Sequence, residues 1–177
     1  MHPSDAPHAR WIEQALTEFE GPLLRHALRI TRDPDLARDI VQDAFLRLCR
    51  ADPAQVGDHV GQWLFAVCRN RALDVSRKEQ RVNALSTPAP PGAFAEPQPG
   101  PEAMVEIHEA ERRAAAAIDR LPDDLREVIR LKFQDGLSYK EISAVTGKTV
   151  SRVGVQIHTA MQALRAQLTD GPAEETR

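Results

Sequence analysis

The chain has 177 residues, 42% hydrophobic and 5% aromatic, and a formal net charge of -3 at pH 7. This length allows one or two domains with cores of their own, and the few aromatic residues are typical of small helical domains. The sequence contains no apolar run long enough to cross a membrane and no signal-peptide pattern, so we expect a cytoplasmic protein. Two cysteines and six scattered histidines do not form a metal-binding pattern, so we expect no metal site and no cofactor. Cys49 and Cys68 are both expected to be buried thiols.

Two helices are predicted at the start of the chain. The first runs from about residue 10 to residue 30 and has an apolar stripe, although Gly21 and Pro22 could interrupt it. The second runs from about residue 35 to residue 49, with apolar residues at every third or fourth position. His26 lies on the first helix and is predicted to be exposed or to cap a helix rather than to act in catalysis.

The third predicted helix, residues 60–81, has an unusual face. Single-stranded nucleic acid suits such a face, because splayed bases stack or enter pockets while cations neutralise the backbone. The alternative is that its aromatic ring belongs to the core and its cations are simply solvated. The aromatic, amide and cationic residues on or beside this face are Trp63, Arg69, Asn70, Arg71, Arg77 and Lys78.

A proline-rich segment separates the two halves of the chain. Six prolines and two glycines lie between Ser86 and Pro101, a composition that cannot continue a helix and favours an extended tether. We therefore predict an all-α fold with two small helical domains, at residues 10–82 and 103–169, joined by a linker at residues 83–102.

The second half has the layout of a helix-turn-helix. Ser138 and Glu141 are spaced as a capping box, Gly147 is placed to end that helix, and Thr149 can cap the next one. Gly154, in the middle of that last helix, suggests a close approach of another group to the backbone. The predicted inward side consists of Val150, Val153, Ile157, Met161 and Leu164. The cap and the opposite side, which could face a major groove, consist of Thr149, Ser151, Arg152, Val155, Gln156, His158 and Thr159.

Four segments in the same order resemble the extracytoplasmic-function sigma factors, a two-domain group within the sigma-70 family of bacterial RNA polymerase sigma factors. The segments are DLARDIVQDAFLRL, GQWLFAVCRNRALDVSRK, LPDDLREVIRLKF and GLSYKEISAVTGKTVSRV. The resemblance implies a region 2-like domain followed by a region 4-like helix-turn-helix domain. It also implies a non-enzymatic factor that binds core RNA polymerase and directs promoter-specific initiation of transcription.

The resemblance further implies a role for each surface. The second helix matches the segment that docks on the clamp helices of the largest polymerase subunit, through Asp39, Gln42, Asp43, Phe45 and Leu46. The third matches the segment that holds the melted minus-10 strand, with Asn70 at a base-contacting position. The last matches the helix that enters the minus-35 major groove. The implied partners are core polymerase, including its clamp helices and flap region, promoter DNA and an anti-sigma factor.

The chain also departs from the family pattern. Gly154, Val155, Gln156 and Thr159 stand where the family usually has Lys, Ser and Arg followed by another basic residue, so we predict an altered minus-35 preference. An alternative function is a stand-alone helix-turn-helix regulator whose N-terminal helical domain binds a ligand or dimerises. That alternative would not explain the nucleic-acid chemistry of the third predicted helix. No catalytic motif favours an enzyme.

Overall fold

The computed structural model describes residues 5–83 and 103–169, which are helical apart from short turns and contain no strand. The chain divides into two compact units, one within residues 1–93 and the other within residues 94–177. The predicted all-α fold is confirmed. Most of the predicted linker lies outside the described residues.

The first unit is built from three long helices. They are α1 (Asp5–Thr31), α2 (Pro34–Arg50) and α4 (Val60–Asn83), and each packs against the other two. A short helix, α3 (Pro53–Val56), and a 3₁₀ turn at Gly57–His59 connect α2 to α4. The apolar stripes of the three helices meet in one core, which includes Leu23, Ala27, Ile40, Ala44, Leu48, Leu64, Phe65, Cys68 and Ala72.

Helix α1 continues through Pro22, although the sequence allowed an interruption at this position. A proline inside a helix removes one backbone hydrogen bond and costs about 3 kcal/mol. Leu23 and Ala27, which follow it, are completely buried. We attribute the continuity of α1 to this packing, because burial of the apolar face outweighs local helix propensity.

A left-handed residue and a cap separate α1 from α2. Arg32 has φ of 59°, and its N–H donates to the carbonyl of Leu28 at 2.8 Å. The Asp33 carboxylate then accepts from the N–H groups of Asp35 and Leu36, at 2.9 and 3.0 Å. Together these bonds end one helix and start the next within two residues.

The second unit is organised around its last helix. Its elements are α5 (Ala103–Asp119), α6 (Asp123–Phe133), α7 (Tyr139–Thr146) and α8 (Val150–Thr169). Helix α8 packs against each of the other three. Its inward side places Val153, Ile157, Ala160 and Leu164 in the core.

Several predictions about burial are wrong. Val150 is 47% exposed rather than buried, because it begins α8 before that helix reaches the core. Cys49 is exposed. His26, predicted to be exposed or capping, is buried with its ring edge-on to Phe65 at 5.3 Å. Cys68 is buried as predicted, and its burial raises the pKa of the thiol to about 12.

Candidate nucleic-acid and polymerase interfaces

The first unit has a groove between α2 and α4 that collects most of the predicted polymerase-binding residues. Leu46 is 47% exposed there although it is a large aliphatic residue. Phe45 does not belong to this surface, because it is only 7% exposed and packs in the core. The groove therefore combines acidic and amide groups and the cationic Arg71 with one exposed apolar side chain, Leu46, and two partly exposed ones, Leu36 and Val75. The residues that line it are Leu36, Asp39, Ile40, Gln42, Asp43, Leu46, Arg71 and Val75.

Arg71 lies in this groove and not with the other residues predicted to contact minus-10 DNA. Its Nε is 4.0 Å from the Oδ2 of Asp43, with both side chains about half exposed. Successive residues of a helix differ by about 100° in direction, so Arg71 is turned toward α2 while Asn70 is turned away from it. Arg71 is thus adjacent to the predicted polymerase-binding residues.

The predicted minus-10 face of α4 is accessible over most of its length. Asn70, Arg77 and Lys78 are exposed, whereas Trp63 and Arg69 are half-buried. Arg77 pairs with Asp74 only at 4.0 Å, and both side chains are 69% exposed. Such an exposed ion pair holds the guanidinium of Arg77 weakly, so Arg77 can exchange Asp74 for a DNA phosphate at little cost in free energy.

The start of α4 is fixed by a close contact with α1. A Cβ added at Gly61 would lie 2.7 Å from Cε1 of Phe19, which is too short for two carbon atoms. The absence of a side chain at Gly61 therefore lets the Phe19 ring lie against the backbone of α4. This contact lies two residues before Trp63 and sets where the predicted DNA-facing side of α4 begins.

The helix-turn-helix is capped as predicted. The Ser138 hydroxyl accepts from the N–H of Glu141 at 3.3 Å, and the Glu141 carboxylate accepts from the N–H of Ser138 at 2.7 Å. Gly147 ends α7 with φ of 71°, and the Thr149 hydroxyl accepts from the N–H of Arg152 at 3.2 Å. These bonds satisfy backbone groups that a helix end leaves free, and they define the turn that leads into α8.

The outward side of α8 matches the predicted DNA-facing set with one exception. The exposed members are Thr149, Ser151, Arg152, Val155, His158 and Thr159. Val155 is 63% exposed, a high value for an aliphatic residue in a helix. Gln156 is the exception: it is 8% exposed and lies in the inward stripe between Val153 and Ile157. Its polar character concealed its inward position, since amides are usually exposed.

Gly154 faces the ring of Tyr139. A Cβ at Gly154 would lie 3.7 Å from Cε2 of Tyr139, which is an ordinary contact distance. The Tyr139 ring therefore lies beside Gly154 but leaves room for a methyl group, so this contact does not account for a glycine at this position. Lys132 also lies over the Tyr139 ring, with its Nζ 5.7 Å from the ring centre.

Two residues that the sequence did not single out for this site, Asp124 and Lys148, join α6 to the helix-turn-helix. The Lys148 Nζ lies 3.5 Å from Asp124 and 3.7 Å from Glu127, and its side chain is only 14% exposed. Gln156 donates to the same Asp124 at 3.4 Å. Asp124 also stands in the first turn of α6, where a carboxylate complements the helix dipole, and nothing in a sequence shows its contact across 32 positions.

The part of the chain that the structure describes contains no group of three or more histidine, cysteine and carboxylate side chains that could hold a metal ion. In the same part of the chain, no helix is long and apolar enough to span a bilayer.

Comparison with known proteins places both units in one family. Sigma-70 region 2 matches residues 16–82, and Sigma-70 region 4 matches residues 111–164. The ECF RNA polymerase sigma factor EcfG of Rhodopseudomonas palustris is 33% identical over 159 residues, which cover 87% of this chain and 83% of EcfG. SigM of Bacillus subtilis is 27% identical over 164 residues, covering 93% of this chain and 99% of SigM.

Two solved structures have the same fold. Sigma factor RpoE of Bartonella quintana, solved with the anti-sigma factor NepR, superimposes with a TM-score of 0.68 at 23% identity, covering 89% of this chain and 96% of RpoE. CnrH, solved with the cytosolic domain of CnrY, gives a TM-score of 0.59 at 24% identity, covering 93% and 91%.

The chain belongs to the extracytoplasmic-function sigma factors of the sigma-70 family. It is a promoter-directing RNA polymerase sigma factor, and the alternative of a stand-alone helix-turn-helix regulator is not favoured. The family consists of non-enzymatic regulatory factors.

Proposed function

We propose that the two units divide the work of promoter recognition between two forms of DNA. The first unit, residues 10–82, binds core polymerase and holds the melted minus-10 strand. The second, residues 103–169, reads the minus-35 duplex. A tether at residues 83–102 lets two modest interfaces reinforce each other through effective concentration. The observation that carries this proposal is the proximity of two chemically different surfaces on α4, one cationic and one in an acidic groove.

The exposed side of α4 supports the minus-10 role. Asn70 offers an amide to a base edge, and Arg77 and Lys78 offer charge to the backbone of a single strand. Trp63 is half-buried, so part of its ring is available for stacking on a base. The contribution of Arg71 differs, since its partner Asp43 belongs to the polymerase-facing groove.

The α2 and α4 groove supports the polymerase role. Asp39, Gln42 and Asp43 are exposed around the accessible Leu46, which gives an apolar centre with a polar rim. That arrangement suits a docked helix such as the clamp helices of the largest subunit. Phe45 supports the groove from the core and does not contact the partner itself.

The outward side of α8 supports minus-35 reading with an unusual preference. Arg152 and His158 are its potential cations, and Val155 offers an apolar contact suited to a thymine methyl group. Fewer cations at the groove mean fewer phosphate contacts and a weaker dependence of binding on salt. The polymerase flap region would then hold the second unit near the promoter.

We also propose an anti-sigma partner and a cytoplasmic, non-catalytic role for this chain. RpoE of Bartonella quintana is solved with the anti-sigma factor NepR, and CnrH is solved with the cytosolic domain of CnrY. An anti-sigma factor that covers the α2 and α4 groove would compete with polymerase, because both partners would use Leu46 and the carboxylates around it.

The experiment is run-off transcription with purified core polymerase on a library of bacterial promoter fragments. We expect discrete new transcripts with the native chain. Asn70→Ala and Arg77→Ala should abolish them or lower their yield at least about tenfold, because each removes a contact to the melted strand. Sequence-specific duplex binding by the chain alone, without any transcripts, would contradict the proposal.

Matched controls come from α1. Gln14 and Arg25 are exposed on the same unit and belong to neither predicted interface, so Gln14→Ala and Arg25→Ala should leave transcript yield within about twofold of native. Polymerase binding is measured separately with Asp43→Ala and the control Asp58→Ala. A loss of binding common to both carboxylates would indicate general charge attraction instead of a docking site.

A further inference from the structure

One carboxylate connects three parts of the second unit. Asp124 stands near the start of α6, accepts from the Nε2 of Gln156 on α8 at 3.4 Å, and lies 3.5 Å from the Nζ of Lys148. Lys148 belongs to the turn between α7 and α8 and also lies 3.7 Å from Glu127. The turn and the reading helix are therefore both tied to α6 through the same side chain.

The contacts with Asp124 matter for Lys148 and Gln156 because both of these side chains are largely buried. Gln156 is 8% exposed, and the Lys148 side chain is 14% exposed, while the Asp124 carboxylate is 65% exposed. Among the described residues, the Lys148 Nζ and the Gln156 Oε1 have no hydrogen bond. Buried polar groups are costly without a partner, so the contacts of Asp124, together with Glu127 beside Lys148, help to keep these two groups directed inward.

The inward direction of Gln156 belongs to the orientation of α8 as a whole. With about 100° between successive residues, the inward stripe formed by Val153, Gln156 and Ile157 leaves Val155 and Thr159 on the exposed side. If Gln156 turned toward solvent, α8 would roll and present a different set of atoms to a groove. Lys148, once released, would also become a cation able to bind a phosphate.

We propose that Asp124 is a positioning residue for minus-35 reading. It holds the roll of α8 through Gln156, and it keeps the charge of Lys148 away from DNA by pairing with it. The inference rests on the proposed function, since it assumes that α8 reads the minus-35 duplex. It assigns part of promoter selectivity to a side chain that does not itself face the groove.

The test measures selectivity, not affinity alone. Polymerase holoenzyme formed with the full chain is bound to duplex promoters randomised across the minus-35 element, and bound sequences are counted. We expect Asp124→Ala to change the ratio of the preferred sequence to its best single-base variant at least about fivefold. Asp123→Ala is the matched control, because it removes the same charge one position away, and its ratio should stay within about twofold of native.

A second pair of variants tests the contact directly. Gln156→Glu sets a carboxylate against Asp124 and should shift the same ratio. Adding Asp124→Asn restores a donor and acceptor pair with the roles exchanged, so the double variant should return the ratio to within about twofold of native. If Asp124→Ala does not fold, as judged by its helical circular dichroism, Asp124→Leu, which has a similar shape and no hydrogen-bond acceptor, gives the same readout.

The outcomes separate cleanly. Equal weakening of all sequences, with an unchanged ratio, would mean that Asp124 supports folding or charge only and would overturn the inference. A native ratio in folded Gln156→Glu would overturn it as well. A native holoenzyme without any minus-35 preference would instead refute the proposed function, which keeps the two failures distinct.

Discussion

The two units of this sigma factor are held together in different ways. In the first, the ion pairs of Arg38 with Asp35 and of Arg77 with Asp74 lie at the surface, and the core is apolar apart from the buried His26. In the second, three cations that are 24% exposed or less reach carboxylates: Arg126 with Asp123, Arg130 with Asp119, and Lys148 with Asp124 and Glu127.

We infer from this difference that apolar packing contributes most of the stability of the first unit, whereas ion pairs contribute more to the stability of the second. Surface pairs add little to stability, whereas a partly buried cation must keep its partner. The first unit should therefore respond most strongly to changes of volume, and the second to the loss of a cap or a carboxylate. Both tryptophans, Trp11 and Trp63, lie in the first unit, so their fluorescence follows the unfolding of that unit alone.

The largest expected effect comes from adding one methyl group to the first unit. Gly61→Ala places a Cβ 2.7 Å from the Phe19 ring, and the forced shift should lower the free energy of unfolding by about 2 kcal/mol. Urea unfolding followed by tryptophan fluorescence measures this change.

The control for Gly61 is another glycine on the same bundle. A Cβ at Gly21 would meet only Arg25, at 3.5 Å, so Gly21→Ala should be neutral or stabilising by up to about 1 kcal/mol. Phe19→Leu combined with Gly61→Ala should recover part of the loss. Equal destabilisation by both glycine substitutions would show that packing against α1 is not the cause.

The next effect is a loss of stability at alkaline pH that is specific to the first unit. Burial raises the pKa of the Cys68 thiol from 9.0 to about 12, so the folded state keeps a proton that the unfolded state releases. This contribution to stability is complete below pH 9 and falls by about 1.4 kcal/mol per pH unit as the pH rises from 9 toward 12. Urea unfolding at pH 8, 9 and 10 measures it.

Comparison with variants isolates the thiol from other groups that titrate at high pH. Cys68→Ala should remove this component of the slope, whereas Cys49→Ala should retain it, because Cys49 is exposed. A thiol reagent at pH 8 should modify Cys49 quickly and Cys68 only after unfolding. Identical slopes in native protein and Cys68→Ala would contradict the assignment.

A smaller effect tests the caps of the second unit. Ser138→Ala removes one side of the capping box and should lower the stability of α7 by about 1 kcal/mol. Hydrogen exchange of the α7 amides measures this change locally. Thr17→Ala removes a hydroxyl that bonds within α1, and it should alter stability by less than about 0.5 kcal/mol. A larger effect at Thr17 than at Ser138 would contradict the expectation that the second unit depends more than the first on the caps of its helices.

The smallest effect lies at the junction of α1 and α2. Arg32 occupies the left-handed region with φ of 59°, where glycine has no Cβ to strain. Arg32→Gly should therefore raise the free energy of unfolding by about 0.5 kcal/mol, the relief of strain being partly offset by a more flexible unfolded chain. Tryptophan-detected unfolding measures it, and Arg47→Gly inside α2 should have the opposite sign.

Local patterns predicted the helices and their ends well. The capping box at Ser138, the left-handed Gly147 and the cap at Thr149 all follow from spacing along the chain, and all are present. Membership of the sigma factor family was predicted from four motifs and is confirmed by the family matches. These features depend on neighbours within a few residues, which a sequence displays directly.

The errors concern contacts between distant segments. Gln156 was expected on the outward side because it is polar, but its partner Asp124 lies on another helix. His26 was expected at the surface and instead packs against Phe65. The short helix α3 was missed, although Asp52 followed by Pro53 is a recognisable helix start. The roles assigned to individual surface residues stay predictions.

The second unit uses a single helix both as its central packing element and as its candidate reader. Because α8 meets α5, α6 and α7 along one side, substitutions on that side would disturb the whole unit. The outward residues Val155, His158 and Thr159 carry no such constraint. Duplicated copies of this gene could therefore diverge toward new promoters through a few surface changes, while the apolar residues of the inward stripe of α8 would be preserved by selection for folding.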